Sequence, residues 1–372
     1  MKGVFLMEAR LQKVVSWLEE KNVEAAFISS TENVFYLTGF HTDPHERLLG
    51  LFVFNEAEPM LVCPSMEVGQ AKEAGWKFDV IGYEDHQNPW ELIKEALHKR
   101  NVIDVKKVAV EKEQLLYARA EELLSLYPNA ELVGAEEKLN QLRLIKDERE
   151  VEILQKAAAL ADFGVEVGVA ALKEGVTEMD VLAKIEYELK RKGIREMSFS
   201  TMVLFGEKTG EAHGNPGLRT LKPGDMVLFD LGVVLDGYCS DITRTVAYKS
   251  INDKQKEIYE TVQRAEQEAL EASKPGTRIG DLDMVARNII TEAGYGEYFL
   301  HRLGHGLGIS VHEFPSMSRN NDDVLQEGMV YTIEPGIYIP GLGGVRIEDD
   351  VIITKDGYKT LTKYPKELQI IS

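Results

Sequence analysis

The chain has 372 residues, 44% hydrophobic and 28% charged, with 62 acidic against 43 basic residues and a formal net charge of −19. That balance argues against a phosphate-backbone partner and against an anionic membrane surface, so neither nucleic acid nor membrane is expected as a partner. The length implies two domains, and the two cysteines, Cys63 and Cys239, lie in separate halves without paired spacing, which fits a reducing, cytoplasmic compartment.

The start of the chain carries a short apolar-leaning lead before Glu8, too short for a signal peptide, and nowhere does an apolar run approach the roughly 18 residues of a membrane span. Leu11, Val14, Val15 and Leu18 recur at helical spacing, and Ala25 to Ile28 reads as a strand. Leu51 to Phe54, Met60 to Cys63, Phe78 to Ile81, Val108 to Val110 and Glu131 to Val133 continue as strands. Helices are expected at Glu67 to Ala74, Trp90 to His98 and Leu115 to Leu126. This alternation describes an α/β domain over residues 1–140. Between Gly39 and Arg47 the stretch GFHTDPHER crowds Asp43, His45, Glu46 and Arg47 around Pro44. It reads either as a polar surface loop whose charges pair with one another or as a rim that reaches an active site.

The second domain, over residues 141–372, opens at Lys146-Asp147-Glu148-Arg149-Glu150. Leu154, Ala157, Ala158, Ala161 and Val165 give its first helix one apolar face. A second helix runs from Glu178 to Lys192, capped by Thr177 and ended by Gly193; Met202 to Phe205 is a strand. Then comes MVLFDLGVVLDGYCSDITRTVAY at Met226 to Tyr248. Asp-Gly between apolar runs is a hairpin signal. With Asp236 and Gly237 as the turn, Asp230 faces Thr243 and Asp241 is its diagonal neighbour on the same face, roughly 7–8 Å away at the backbone. Carboxylates that close repel unless a cation lies between them, and two divalent ions about 3.5–4 Å apart would fit.

Helices follow at Asn252 to Ser273 and Ile279 to Ala293, and the last eighty or so residues are strand-rich with glycine punctuation. Three histidines, His301, His305 and His312, cluster among glycines that permit close approach. Downstream, a turn centred on Gly341 sets Glu334 opposite Glu348, with a bulge expected at Pro335; Arg346 shares the face of Glu348. Two aspartates, two glutamates and an imidazole make an oxygen-rich set suited to two divalent ions. Oxygen-rich sites take manganese, cobalt, iron or zinc alike, and availability selects among them; manganese is the first expectation.

The motifs FDLGxxxDGYCSDITRT, LGHGLGxxVHExP, TIEPGIY and GGVRIED resemble, in this order, those of the prolidase, aminopeptidase P and methionine aminopeptidase family of dinuclear metallopeptidases with the pita-bread fold, over about residues 145 to 365. The first domain is similar to the creatinase-type N-terminal domain, with ENVFYLTGF at Glu32 to Phe40 as its signature. The resemblance implies an α/β creatinase-type domain followed by an α+β pita-bread domain. It implies metal ligands at Asp230, Asp241, His305, Glu334 and Glu348, with Asp241 and Glu348 bridging. His213 resembles the family's histidine that either supports the site from behind or contacts substrate, His312 the one beside the scissile carbonyl, and Glu334 would double as the general base. His301, Arg302, Arg346 and Tyr338 are expected to contact substrate. Some members carry Arg where this chain has Ser316, which leaves Arg302 and Arg346 as candidates for holding a substrate carboxylate. Asp43, His45 and Arg47 resemble a loop of bacterial Xaa-Pro dipeptidases. The implied activity is hydrolysis of Xaa-Pro dipeptides by a metal-bridged hydroxide, in a cytoplasmic homodimer. Aminopeptidase P activity on Xaa-Pro-Xaa peptides, a metal-free hydrolase of the creatinase type and a non-catalytic binding protein are the alternatives.

Overall fold

The computed structural model describes residues 2–372, with side chains from Met7 onward, so most of the apolar lead before Glu8 falls outside the described side chains. Among the described residues no helix is long and apolar enough to cross a membrane. The chain divides into two compact units, Met1–Arg143 and Leu144–Ser372.

The first unit is built on a six-stranded sheet. Its strands are β1 (Ala25–Ile28), β2 (Gly50–Phe54), β3 (Met60–Pro64), β4 (Asp79–Tyr83), β5 (Lys107–Val110) and β6 (Glu131–Gly134), in the order β4-β3-β2-β1-β5-β6. The central β1, β2 and β3 are antiparallel neighbours, and the outer pairs are parallel. Helices α1 (Lys2–Lys21), α2 (Thr31–Thr38), α3 (Val68–Glu73), α4 (Pro89–Lys99), α5 (Tyr117–Leu126) and α6 (Glu136–Leu144) complete the alternation. Two of these, α2 and α6, were not read as helices from the sequence. The start of α2 explains why: Ser30 caps it by accepting the amide of Asn33, and Ser30 is itself fixed by Glu111, whose carboxylate also takes the amides of Ser29 and Ser30 at 2.7 and 2.9 Å. In the loop after α2, His45 donates its amide to Asp43 at 3.0 Å, and Arg47 forms a two-pronged pair with Asp85 at 2.8 and 3.1 Å. These charges pair with one another and with the rest of the first unit.

The second unit begins with α7 (Glu148–Ala170), whose capping box joins Asp147 and Glu150, and α8 (Glu178–Arg191), capped by Thr177. Caps of this kind contribute about 1 kcal/mol each. Both helices pack on a sheet in the order β20-β12-β9-β8. Its members are β8 (Met202–Phe205), β9 (Met226–Leu231), β12 (Ile242–Tyr248) and β20 (Ile370–Ile371); short strands β7 (Glu196–Met197), β10 (Val233–Leu235) and β11 (Tyr238–Cys239) lie alongside as a separate ribbon. A second pair, α9 (Asp253–Ala272) and α10 (Ile279–Glu292), packs on the strands of the last third. These are β13 (Gly304–Gly306), β14 (Glu313–Met317), β15 (Val330–Ile333), β18 (Asp349–Thr354) and β19 (Gly357–Thr360), with β16 (Gly336–Ile339) and β17 (Gly343–Arg346) as a two-stranded extension.

Strand alternation decides which side chains enter each core. Val227, Phe229 and Leu231 of β9 and Ile242 and Val246 of β12 bury against α7 and α8. The alternate residues, Asp230, Asp241, Thr243 and Thr245, must therefore face the other way. Likewise Tyr331, Ile333, Val345 and Ile347 join the core beneath α9 and α10, which turns Thr332, Glu334, Arg346 and Glu348 to the opposite face. The two helix-distal faces meet, as Thr245 Oγ1 donating to the carbonyl of Arg346 at 3.0 Å records.

Candidate active site

The first hairpin has the register read from its turn. Asp236 and Gly237 both take left-handed backbone, φ 47° and 82°, as a two-residue primed turn demands. Leu235 then pairs with Tyr238, and Asp230 with Thr243. The second hairpin also keeps one register along its whole length, with Gly336 opposite Arg346 and Ile333 opposite Asp349. The bulge expected at Pro335 is not there. Instead the ladder parts between those pairs: the amide of Glu334 turns to Leu303 O at 2.8 Å and that of Glu348 to Thr243 O at 3.1 Å. Proline has no amide to continue the ladder, so the strands separate without slipping, and the two glutamates sit where they part.

A cavity of about 370 Å³ is lined by Asp230, Asp241, His305, Glu334 and Glu348 together with His213, His301, Arg302, His312, Tyr338 and Arg346. It thus gathers every candidate that the sequence reading placed in the second unit; Asp43, His45 and Arg47 belong to the first. Phe199, Ala212 and Val311 also line it and were not foreseen. Ligand atoms of Asp241, His305 and Glu348 all lie within 4.8 Å of one another. His305 Nε2 is 3.4 Å from Glu334 Oε1 and 3.7 Å from Asp241 Oδ2. Its Nδ1 lies 3.2 Å from the carbonyl of Gly306. That contact assigns the proton to Nδ1 and leaves the Nε2 lone pair aimed at two carboxylates.

Burial, with Glu348 and Asp230 close by, raises the Asp241 carboxyl well above its ordinary range, and burial with Glu334 near does the same for Glu348. Burial, opposed by Arg346, pushes Glu334 up to about 7. Burial holds the His305 imidazole down at about 3. Buried and crowded, these groups resist charging unless a cation compensates them. Asp230 Oδ1 is buried without a hydrogen-bond donor; the neighbouring Thr243 hydroxyl spends its proton on Glu348 Oε2 at 2.6 Å. An orphan carboxylate oxygen, an imidazole lone pair and three crowded acids fit divalent ions.

Arg346 is committed. Its guanidinium pairs with Asp230 and donates to Thr243 Oγ1 at 2.9 Å, to Ala212 O at 3.3 Å and to Tyr338 Oη at 2.8 Å. Tyr338 in turn lies 2.8 Å from His301 Nε2, while His301 Nδ1 lies 2.7 Å from Arg302 O. Donation therefore runs one way, Arg346 to Tyr338 to a neutral His301 to the main chain of Arg302. Burial, with Arg346 adding to it, keeps His301 neutral at about 4. Arg302 makes a 3.1 Å bond to Ser316 Oγ. Thr243, which ties Glu348 to Arg346, was also missed; its place directly opposite Asp230 was the available signal. Asp350, whose carboxylate takes the amide of Asp241 at 3.1 Å, had no such signal.

Comparison with known proteins agrees with this chemistry. Residues 152–355 match metallopeptidase family M24, and residues 10–145 match the creatinase/prolidase N-terminal domain. The chain is 67% identical to the putative dipeptidase YkvY of Bacillus subtilis, over 97% of this chain and 99% of that one. It is 48% identical to the Xaa-Pro dipeptidase of Lactobacillus helveticus, over 97% and 98%. Among solved structures it superposes on the prolidase from Pyrococcus horikoshii with a TM-score of 0.89 at 38% identity, over 97% and 99% of the two chains. An acid-rich cavity with an imidazole, on this fold and with these relatives, places the chain in metallopeptidase family M24.

Proposed function

We propose that this protein is an Xaa-Pro dipeptidase that holds two divalent ions, manganese foremost, on Asp230, Asp241, His305, Glu334 and Glu348. The single observation that carries the proposal is the convergence of four carboxylates and the neutral imidazole of His305 on one cavity, beside two arginines, three further histidines and a tyrosine. Divalent ions bound there supply a Lewis acid and acidify water.

The chain's own residues do the rest. Glu334 takes the proton of the attacking water and passes it towards the prolyl nitrogen. That nitrogen belongs to a tertiary amide and must gain a proton to leave. His213 and His312 hold the carbonyl oxygen as charge builds on it. Because Arg346 spends its donors inside the protein, Arg302 is the cation with donors left for the substrate carboxylate. A cavity of about 370 Å³ suits a dipeptide. A small peptide is therefore the partner. A homodimer in the cytoplasm is the setting, consistent with two buried thiols, Cys63 and Cys239.

Product analysis tests this reading. Metal-loaded protein is expected to release free proline from Xaa-Pro dipeptides and to leave Xaa-Pro-Xaa tripeptides largely uncut. Faster release of the first residue from the tripeptides would make it an aminopeptidase P instead.

A further inference from the structure

His213 reaches the cavity from an exposed stretch, and among the described residues its ring has no hydrogen-bond partner. The loop's main chain is clamped on both sides of the histidine. On one side, Ala212 O accepts from Arg346 Nη1 at 3.3 Å. On the other, Asn215 O accepts from Lys208 Nζ at 2.7 Å. Lys208 also pairs with Glu178 at 2.6 Å, a carboxylate with no exposed surface at the first position of α8. Glu178 receives two further donors, the amide of Gly217 at 2.7 Å and that of Phe205 at 2.9 Å. One buried acid thus joins a strand end, a lysine and the far end of the His213 loop. A buried carboxylate is expensive unless each oxygen is satisfied, and here both are.

We infer that Lys208 and Glu178 are positioning residues for His213, holding its loop so that the imidazole meets the scissile carbonyl. The inference rests on the proposed role of His213 in the dipeptidase reaction. Neither residue lines the cavity, so their effect must pass through the loop. Displacing a catalytic group by about 1 Å can cost on the order of a hundredfold in rate.

The test is a double-mutant cycle on Xaa-Pro hydrolysis with manganese added. His213→Ala is expected to lower kcat/KM about a hundredfold and Lys208→Met about tenfold or more. Lys208→Arg, which can still reach both acceptors, should recover to within a few-fold of wild type. The double variant His213→Ala/Lys208→Met should be no slower than His213→Ala alone, with manganese affinity by calorimetry unchanged throughout. Since Lys208→Met strands a buried acid, the neutral pair Glu178→Gln/Lys208→Gln is the second variant, and it should couple to His213 in the same way. Multiplicative losses in the cycle, or wild-type rates in the Lys208 variants while His213→Ala is slow, would overturn the clamp and leave His213's role standing. A wild-type rate in His213→Ala would remove that role and the inference with it.

Discussion

Glu334 and Glu348 stand opposite one another on a hairpin, an arrangement that costs stability in a protein without a cation between them. The energetics of the metal-free site follow from that. Glu334 titrates at about 7 against an ordinary 4.5, so between those values the folded chain keeps a proton that the unfolded chain has released. Stability must fall as pH rises through that window. His305, at about 3, and His301, at about 4, act in the opposite sense up to their ordinary 6.5. Above 6.5 these two histidines are neutral in both states, while Glu334 is still releasing its proton near 7, and burial raises Asp241 and Glu348 in the same direction. The Tm of the metal-free protein is therefore expected to fall from pH 6.5 to 8, while the gain in Tm on adding manganese grows over the same range. A metal-free Tm that climbs across that interval would show that these acids are not the crowded set described. Glu334→Gln keeps shape and removes the base, so it should lower kcat by at least a hundredfold while the protein stays folded. Arg302→Met should instead raise KM for Xaa-Pro dipeptides about tenfold or more, as loss of a charge-assisted bond does, and steady-state kinetics separate the two effects.

At the scale of elements, the site exists because two hairpins turn alternate residues away from their helices. Much of that was legible. Asp-Gly fixes a turn, the turn fixes a register, and a period of two fixes the face; Asp230 opposite Thr243 follows without any long-range information. What the sequence hid depends on contacts between distant segments. Helix α2 starts where Glu111 takes two amides, a fact absent from local propensity. Thr243 matters because Arg346, over a hundred residues later, donates to it. Phe199 entered the cavity lining with no motif around it. The parting of the strands at Pro335 was read as a bulge because a missing amide can produce either, and only the neighbouring strands decide between them. Gly304 shows the same dependence on a neighbour: a Cβ there would lie 2.0 Å from the carbonyl of Thr332. Gly304→Ala must push β13 from β15 and move His305 with it. It should destabilise the protein by roughly 2–4 kcal/mol and weaken manganese binding, measurable by denaturant titration and calorimetry. Wild-type stability in that variant would mean that the strands have room to give.

For the whole molecule, stability and catalysis share the same charges. A chain with a net charge of −19 that gathers four of its carboxylates into one cavity lowers its own stability unless cations are bound. Metal binding should therefore stabilise the fold as well as enable the reaction, by about 3 kcal/mol at a hundredfold excess over the dissociation constant. The most direct measurement of the central claim follows one preparation through metal removal and return, reading proline release from an Xaa-Pro dipeptide alongside bound metal. Proline release is expected to disappear with the chelated metal, and manganese to restore it in the wild type but not in Asp241→Asn. Full proline release from rigorously metal-free protein, or restoration in Asp241→Asn to the wild-type rate, would contradict that claim.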